Sequence, residues 1–94
     1  MLNDSYLEEL PMEKRLGTMI ILIEDKSCVE ILNNTISQNS SIILSRHGIT
    51  LQDRKQSVMS LVIEGTTEQI SILSGRLGKI KGLKCRSVLI KNDI

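Results

Sequence analysis

Few side chains in this sequence are equipped for chemistry. One histidine, His47, and two cysteines, Cys28 and Cys85, are the borderline and soft donors it offers a transition metal. A closed metal shell takes about three or four such donors, so one chain falls short unless a second subunit contributes. A metal-responsive sensor using His and Cys at a subunit interface is therefore the alternative reading, and no residue is assigned as a metal ligand. The cysteines form no C-x-x-C pair, which argues against a zinc knuckle or a dithiol redox motif and for two semi-buried thiols in a reducing compartment. No His-Asp, Cys-His or paired-carboxylate set stands at readable spacing, and Asp25-Lys26-Ser27 has no glycine to cradle an anion. The chain reads as a non-enzyme.

What remains suits binding. Ser71, Gly75 and Gly78 fall at i, i+4 and i+7 of a helical pattern that also carries Ile70, Leu73, Leu77 and Ile80. Each interior glycine costs about 1 kcal/mol of helix stability relative to alanine, so the missing side chain must serve something else. Two uses stay open. One is close packing against the sheet, the other helix or a neighbouring subunit. The other is a groove lined by bare backbone, with Arg76 as an anion clamp. Either way, valine at Gly75 is expected to disturb assembly or ligand response more than helix formation.

Composition excludes whole classes of function. Twelve basic against eleven acidic residues leave a formal charge of +1, far from the basic field that phosphate neutralisation requires. Tyr6 is the one aromatic residue, so no stacking platform for single-stranded bases exists. Direct nucleic-acid binding by this chain alone is not expected. No apolar run approaches the ~20 residues of a membrane span and no N-terminal signal is visible. The expected location is cytoplasmic.

The elements that must position these residues follow in order. Residues 1–14 read as an N-terminal extension, with a short helix over Ser5–Leu10 ended by Pro11. Residues 15–94 read as one domain. Leu16–Glu24 is strand one; Ser27 or Asp25 caps a helix to about Gln38, with Val29, Leu32 and Ile36 inward. Ser41–Thr50 is strand two, Gln52–Gln56 a hairpin loop, and Ser57–Glu64 strand three, closed by Gly65. Thr66 or Thr67 caps the second helix, and Lys81-Gly82 turns the chain into strand four, Leu83–Lys91. The order βαββαβ predicts an α+β ferredoxin-like sandwich, a four-stranded antiparallel sheet with strands one and three central and both helices on one face.

That architecture conflicts with the strands. A face without helices should alternate apolar with polar, yet strand one carries Leu16, Ile20 and Leu22 opposite Met19, Ile21 and Ile23, and strand three carries Val58 and Val62 opposite Met59, Leu61 and Ile63. A patch of this kind is rarely left bare. The expectation is a homo-oligomer, a dimer or tetramer joined through the open sheet face or the strand edges.

With these residues in view, the sequence resembles the iron-only hydrogenase system regulator family. The resemblance is carried by Ser60–Thr67, by Leu73-Ser74-Gly75-Arg76-Leu77-Gly78 with Ile80 and Gly82, by Lys84-x-Arg86-Ser87, and by Arg46-x-Gly48 at the end of strand two. It covers about residues 15–91. It implies an ACT-like fold, similar to the C-terminal domain of the nickel-responsive repressor, and a regulatory role: a transcriptional regulator or a small-effector sensor linked to iron-only hydrogenase systems. In ACT-like domains the effector sits near the first strand-to-helix turn, here Glu24–Ser27, although the usual glycine of that turn is missing. The ligand-binding candidates are thus Asp25, Arg46, Gly48, Gly75, Arg76 and Gly78, for a small-molecule effector whose identity is open; no cofactor is assigned.

Overall fold

The computed structural model describes residues 13–90. The elements are β1 (Lys14–Ile23), α1 (Val29–Gln38), β2 (Ile43–Leu51), β3 (Gln56–Thr66), α2 (Thr67–Gly78) and β4 (Leu83–Ile90). The strands form one antiparallel sheet in the order β2-β3-β1-β4. This is the ferredoxin-like α+β sandwich, with β1 and β3 in the centre. The expected helix over Ser5–Leu10 and the end of strand four at Lys91 lie outside the described residues.

Register decides which half of each strand is core. β1 and β3 pair with Met19 opposite Leu61 and Ile21 opposite Met59, so odd-numbered positions of both strands project to the same side. There Met19, Ile21, Leu61 and Ile63 are fully buried against Leu32 of α1 and Leu73 and Leu77 of α2. Alternation has period 2 in a strand and about 3.6 in a helix; both patterns converge on this one layer. Among the described residues no helix is long and apolar enough to cross a membrane.

The helix starts are fixed by side chains that satisfy otherwise unpaired backbone donors. Asp25 accepts from the Ser27 N–H at 2.9 Å and opens a 3-10 turn over Lys26–Cys28 that leads into α1. Thr66 forms a capping box with Gln69: its hydroxyl accepts from the Gln69 N–H at 3.1 Å, and the Gln69 side chain accepts from the Thr66 N–H at 2.9 Å.

Several boundaries differ from expectation. Ser40–Ile42 form a 3-10 turn before β2, and the pairing of β2 with β3 slips between Ile43 and Ser45. Gly65 lies inside β3. Ile80 lies beyond the end of α2, half-buried against the core, and Val29 is likewise half-buried.

Two glycines make close approaches possible. Gly82 has φ +95°, the left-handed region that favours glycine. Its carbonyl accepts from the N–H groups of Glu24 at 2.7 Å and Asp25 at 3.0 Å, which ties the α2–β4 turn to the β1–α1 turn. At Gly17 a Cβ would lie 2.5 Å from Leu89 Cδ2 and 2.6 Å from the Val88 carbonyl oxygen. Glycine there lets Leu89 of β4 cross β1 onto the core.

Candidate functional site

Two features of the surface are candidates for a functional site. The first is a groove of about 600 Å³ between α1 and the C-terminal end of α2. Arg76 and Lys79, three apart at the end of α2, and Lys81 in the following turn place three cations on its wall, while Ile31 of α1 and Ile80 supply apolar surface. The β1–α1 turn closes one end through Ser27 and Cys28. The polar atoms of that turn are already used. Ser27 gives its N–H to Asp25 at 2.9 Å, and this backbone hydrogen bond holds the Asp25 carboxyl below its ordinary value. The Thr35 hydroxyl donates to the Ile31 carbonyl at 2.9 Å. Burial pushes the Cys28 thiol up, with the Asp25 charge adding to it, so at neutral pH it is a neutral thiol.

The second feature is the helix-free face of the sheet. Leu16 and Ile20 of β1, Ile49 of β2, and Val88 and Ile90 of β4 all lie on it, between 41% and 66% exposed. Leu22, Val58 and Val62 fill the centre between them, half-buried. Charge is confined to the margins: Lys84 and Arg86 on β4, with Lys84 3.6 Å from Glu24, and Glu64 at the end of β3.

The six ligand-binding candidates do not form one site. Arg76 lines the groove. Asp25 stands beside it as the cap of the helix entry, its carboxylate committed to Ser27. Arg46 and Gly48 lie on β2: Arg46 Nη2 donates to Asn33 Oδ1 at 3.0 Å, pinning that edge strand to α1, and Gly48 borders a shallow hollow with Val58 and Thr50. Gly75 and Gly78 are exposed and do not line the groove, and a Cβ on either would meet nothing within 4 Å. The expectation that they pack closely on the sheet or on the other helix is therefore corrected: the flank of α2 that carries them faces away from both. Lys79, Lys81, Ile31 and Ile80 were not singled out for binding from the sequence; the i, i+3 spacing of Arg76 and Lys79 is the signal that puts two of these cations on one helix face.

His47 and the cysteines are separated by the sheet. His47 pairs with Ser60 on the open face, whereas Cys28 is buried on the helix side and Cys85 faces that side from β4. Both thiols are free. Among the described residues no group of three His, Cys, Asp or Glu side chains is placed to hold a metal ion.

Comparisons with known proteins agree with this fold. Residues 15–87 match a family model described as "TM1266-like: Iron-only hydrogenase system regulator, putative". The structure of uncharacterized protein TM1266 from Thermotoga maritima superposes with a TM-score of 0.79 at 28% identity, over 84% of this chain and 100% of that one. A de novo designed protein, Foldit4, matches with a TM-score of 0.56 at 12% identity, over 86% of this chain and 100% of the design, which is a likeness of fold alone. No curated protein matches the chain.

Proposed function

The chain belongs to the TM1266-like family of iron-only hydrogenase system regulators, and from that premise we propose that it is a regulatory module that acts by binding, not by catalysis, and works as a homodimer joined through the open sheet faces. The observation that carries this reading is the apolar face itself. A monomer would leave Leu16, Ile20, Ile49, Val88 and Ile90 in water, and soluble monomers rarely keep such a patch. Four strands about 4.8 Å apart and eight residues rising about 3.3 Å each span roughly 19 by 26 Å. That is about 500 Å² of flat sheet per partner, at the small end of the range around the ~800 Å² of a standard interface.

A second copy fits this face better than the edges. The face is largely apolar in the middle, where Thr18 and Ser60 are its polar positions, and charged at the rim, a pattern suited to a two-fold interface. The edge strands carry devices that oppose edge pairing: Lys84 and Arg86 on β4, Arg46 on β2, and the pairing slip between Ile43 and Ser45. Control of transcription, on this reading, runs through a DNA-reading partner. The two helices are separated by a β-hairpin and cannot form the short-turn helix pair that enters a major groove.

Light scattering of the full chain at micromolar concentration tests the pairing. The expected mass is twice 10.5 kDa, falling to one subunit in Ile20→Lys, which puts a charge at the centre of the face. A wild-type monomer, or an Ile20→Lys dimer, overturns it.

A further inference from the structure

The groove between the helices carries a second, independent demand. We propose that it binds a small organic anion, its phosphate or carboxylate held by Arg76, Lys79 and Lys81 and its apolar body laid along Ile31 and Ile80. None of the three cations has an ion-pair partner among the described residues; Arg54 pairs with Asp53 and Lys84 with Glu24, both away from the groove. Asp25, whose charge acts on Cys28 at the end of the groove, has its carboxylate turned into the helix cap by Ser27. Basic residues often sit at a helix C-terminus to offset the macrodipole, but that end carries only about half an elementary negative charge. It cannot balance three cations, and Lys81 lies beyond the helix. A concave wall of one sign raises the local concentration of the opposite ion.

The other half of the wall sets the chemical class. Ile31 is 58% exposed although it lines a concavity, so apolar area remains to be covered. Thr35 has its hydroxyl committed to the Ile31 carbonyl, which leaves charged recognition to the cations. Inorganic phosphate would leave the apolar wall bare, and a neutral apolar molecule would leave three charges unanswered. A cavity of about 600 Å³ is within the range of small-ligand sites, about 300–1,000 Å³.

The test follows the isoleucine methyl NMR signals of the full chain during titration with four probes: octanoate, octyl phosphate, octanol and inorganic phosphate. The expected result is movement of Ile31 and Ile80 with octanoate or octyl phosphate, the tighter of the two identifying the headgroup. Octanol and inorganic phosphate should each bind at least tenfold more weakly. Lys79 and Lys81 are exposed, so K79E/K81E should stay folded and bind the charged probes at least tenfold more weakly than wild type; Arg76→Gln serves as the second variant under the same criterion if it does not. Octanol binding as tightly as octanoate, shifts at Ile20 and Ile49 in place of Ile31 and Ile80, or unchanged affinity in the folded charge variant overturns the proposal. It does not rest on the pairing of sheets: a monomer that passes this test keeps the site, and a dimer that fails it loses the site alone.

Discussion

Single residues in this protein matter by what surrounds them more than by type. Gly17 and Gly75 are the same residue with opposite roles. At Gly17 a methyl group would meet Leu89 and the Val88 carbonyl at under 3 Å, so Gly17→Ala should lower unfolding stability by about 1–3 kcal/mol, the cost of overpacking. At Gly75 a methyl group meets nothing, so Gly75→Ala should raise it by about 0.4–1 kcal/mol through a less free unfolded chain. Urea unfolding of both variants checks the pair; equal effects would contradict the placement of either glycine. The thiols make a further prediction. Burial raises both Cys28 and Cys85 above the ordinary value of 9.0, so the folded state holds these protons more tightly than the unfolded chain. Their contribution is fully present below pH 9 and is lost as pH rises from there through the folded values. Unfolding titrations from pH 8 to 11 should show this decline, and C28A/C85A should flatten it.

At the scale of elements, the helix starts carry more of the design than the helix interiors. α2 holds an exposed interior glycine, Gly75, that weakens it, and its start is secured by the reciprocal Thr66–Gln69 capping box. Thr66→Ala should therefore cost about 1 kcal/mol, with Thr67→Ala near neutral, read by thermal or urea unfolding. The β1–α1 corner is held differently, by Asp25 on Ser27 and by the Gly82 carbonyl on Glu24 and Asp25. The Asp25 carboxyl titrates below 3.8 in the folded state, so its cap is complete above that pH and is lost as pH falls through the lowered value. An acid unfolding titration should show that component in wild type and not in Asp25→Asn. Gly82 connects this corner to the end of α2, and so sets the distance between Ser27 and Lys81 across the groove.

For the whole molecule, the sheet divides its tasks. The helix side holds the core and the groove with its cations; the open side holds the apolar face. If that face joins two copies, both grooves are left outward, since each lies on the opposite side of its own sheet. Dimerisation by burial of apolar surface should be insensitive to salt, because screening acts on exposed charges, whereas anion binding at the groove should weaken as ionic strength rises. Measuring mass and octanoate affinity between 50 and 500 mM NaCl, a range set by the ~10 Å Debye length at 0.1 M, separates the two; a mass that fell with salt while binding held would reverse the assignment.

The sequence by itself determined the element order, the two central strands and the two-sided apolar strands, because hydrophobic periodicity and turn residues are local properties that survive without coordinates. Val58 and Val62 opposite Leu61 and Ile63 already mark a strand that is apolar on both faces. Family resemblance was legible for a similar reason: Leu73–Gly78 and Ser60–Thr67 are contiguous runs. What only the tertiary structure decided is long-range. Gly17 and Gly82 matter because of Leu89 and Asp25, partners more than fifty residues away; Lys81-Gly82 is legible as a turn, but not what that turn is tied to. Arg46 joins Asn33, and not Arg76, because β2 and the end of α2 lie on different sides of α1. The groove exists because the β1–α1 turn and the α2–β4 turn are tied at Gly82, which brings Ile31 to the cations at the end of α2 and in the turn after it. Spacing placed Arg76 and Lys79 on one helix face; the fold supplied the opposite wall.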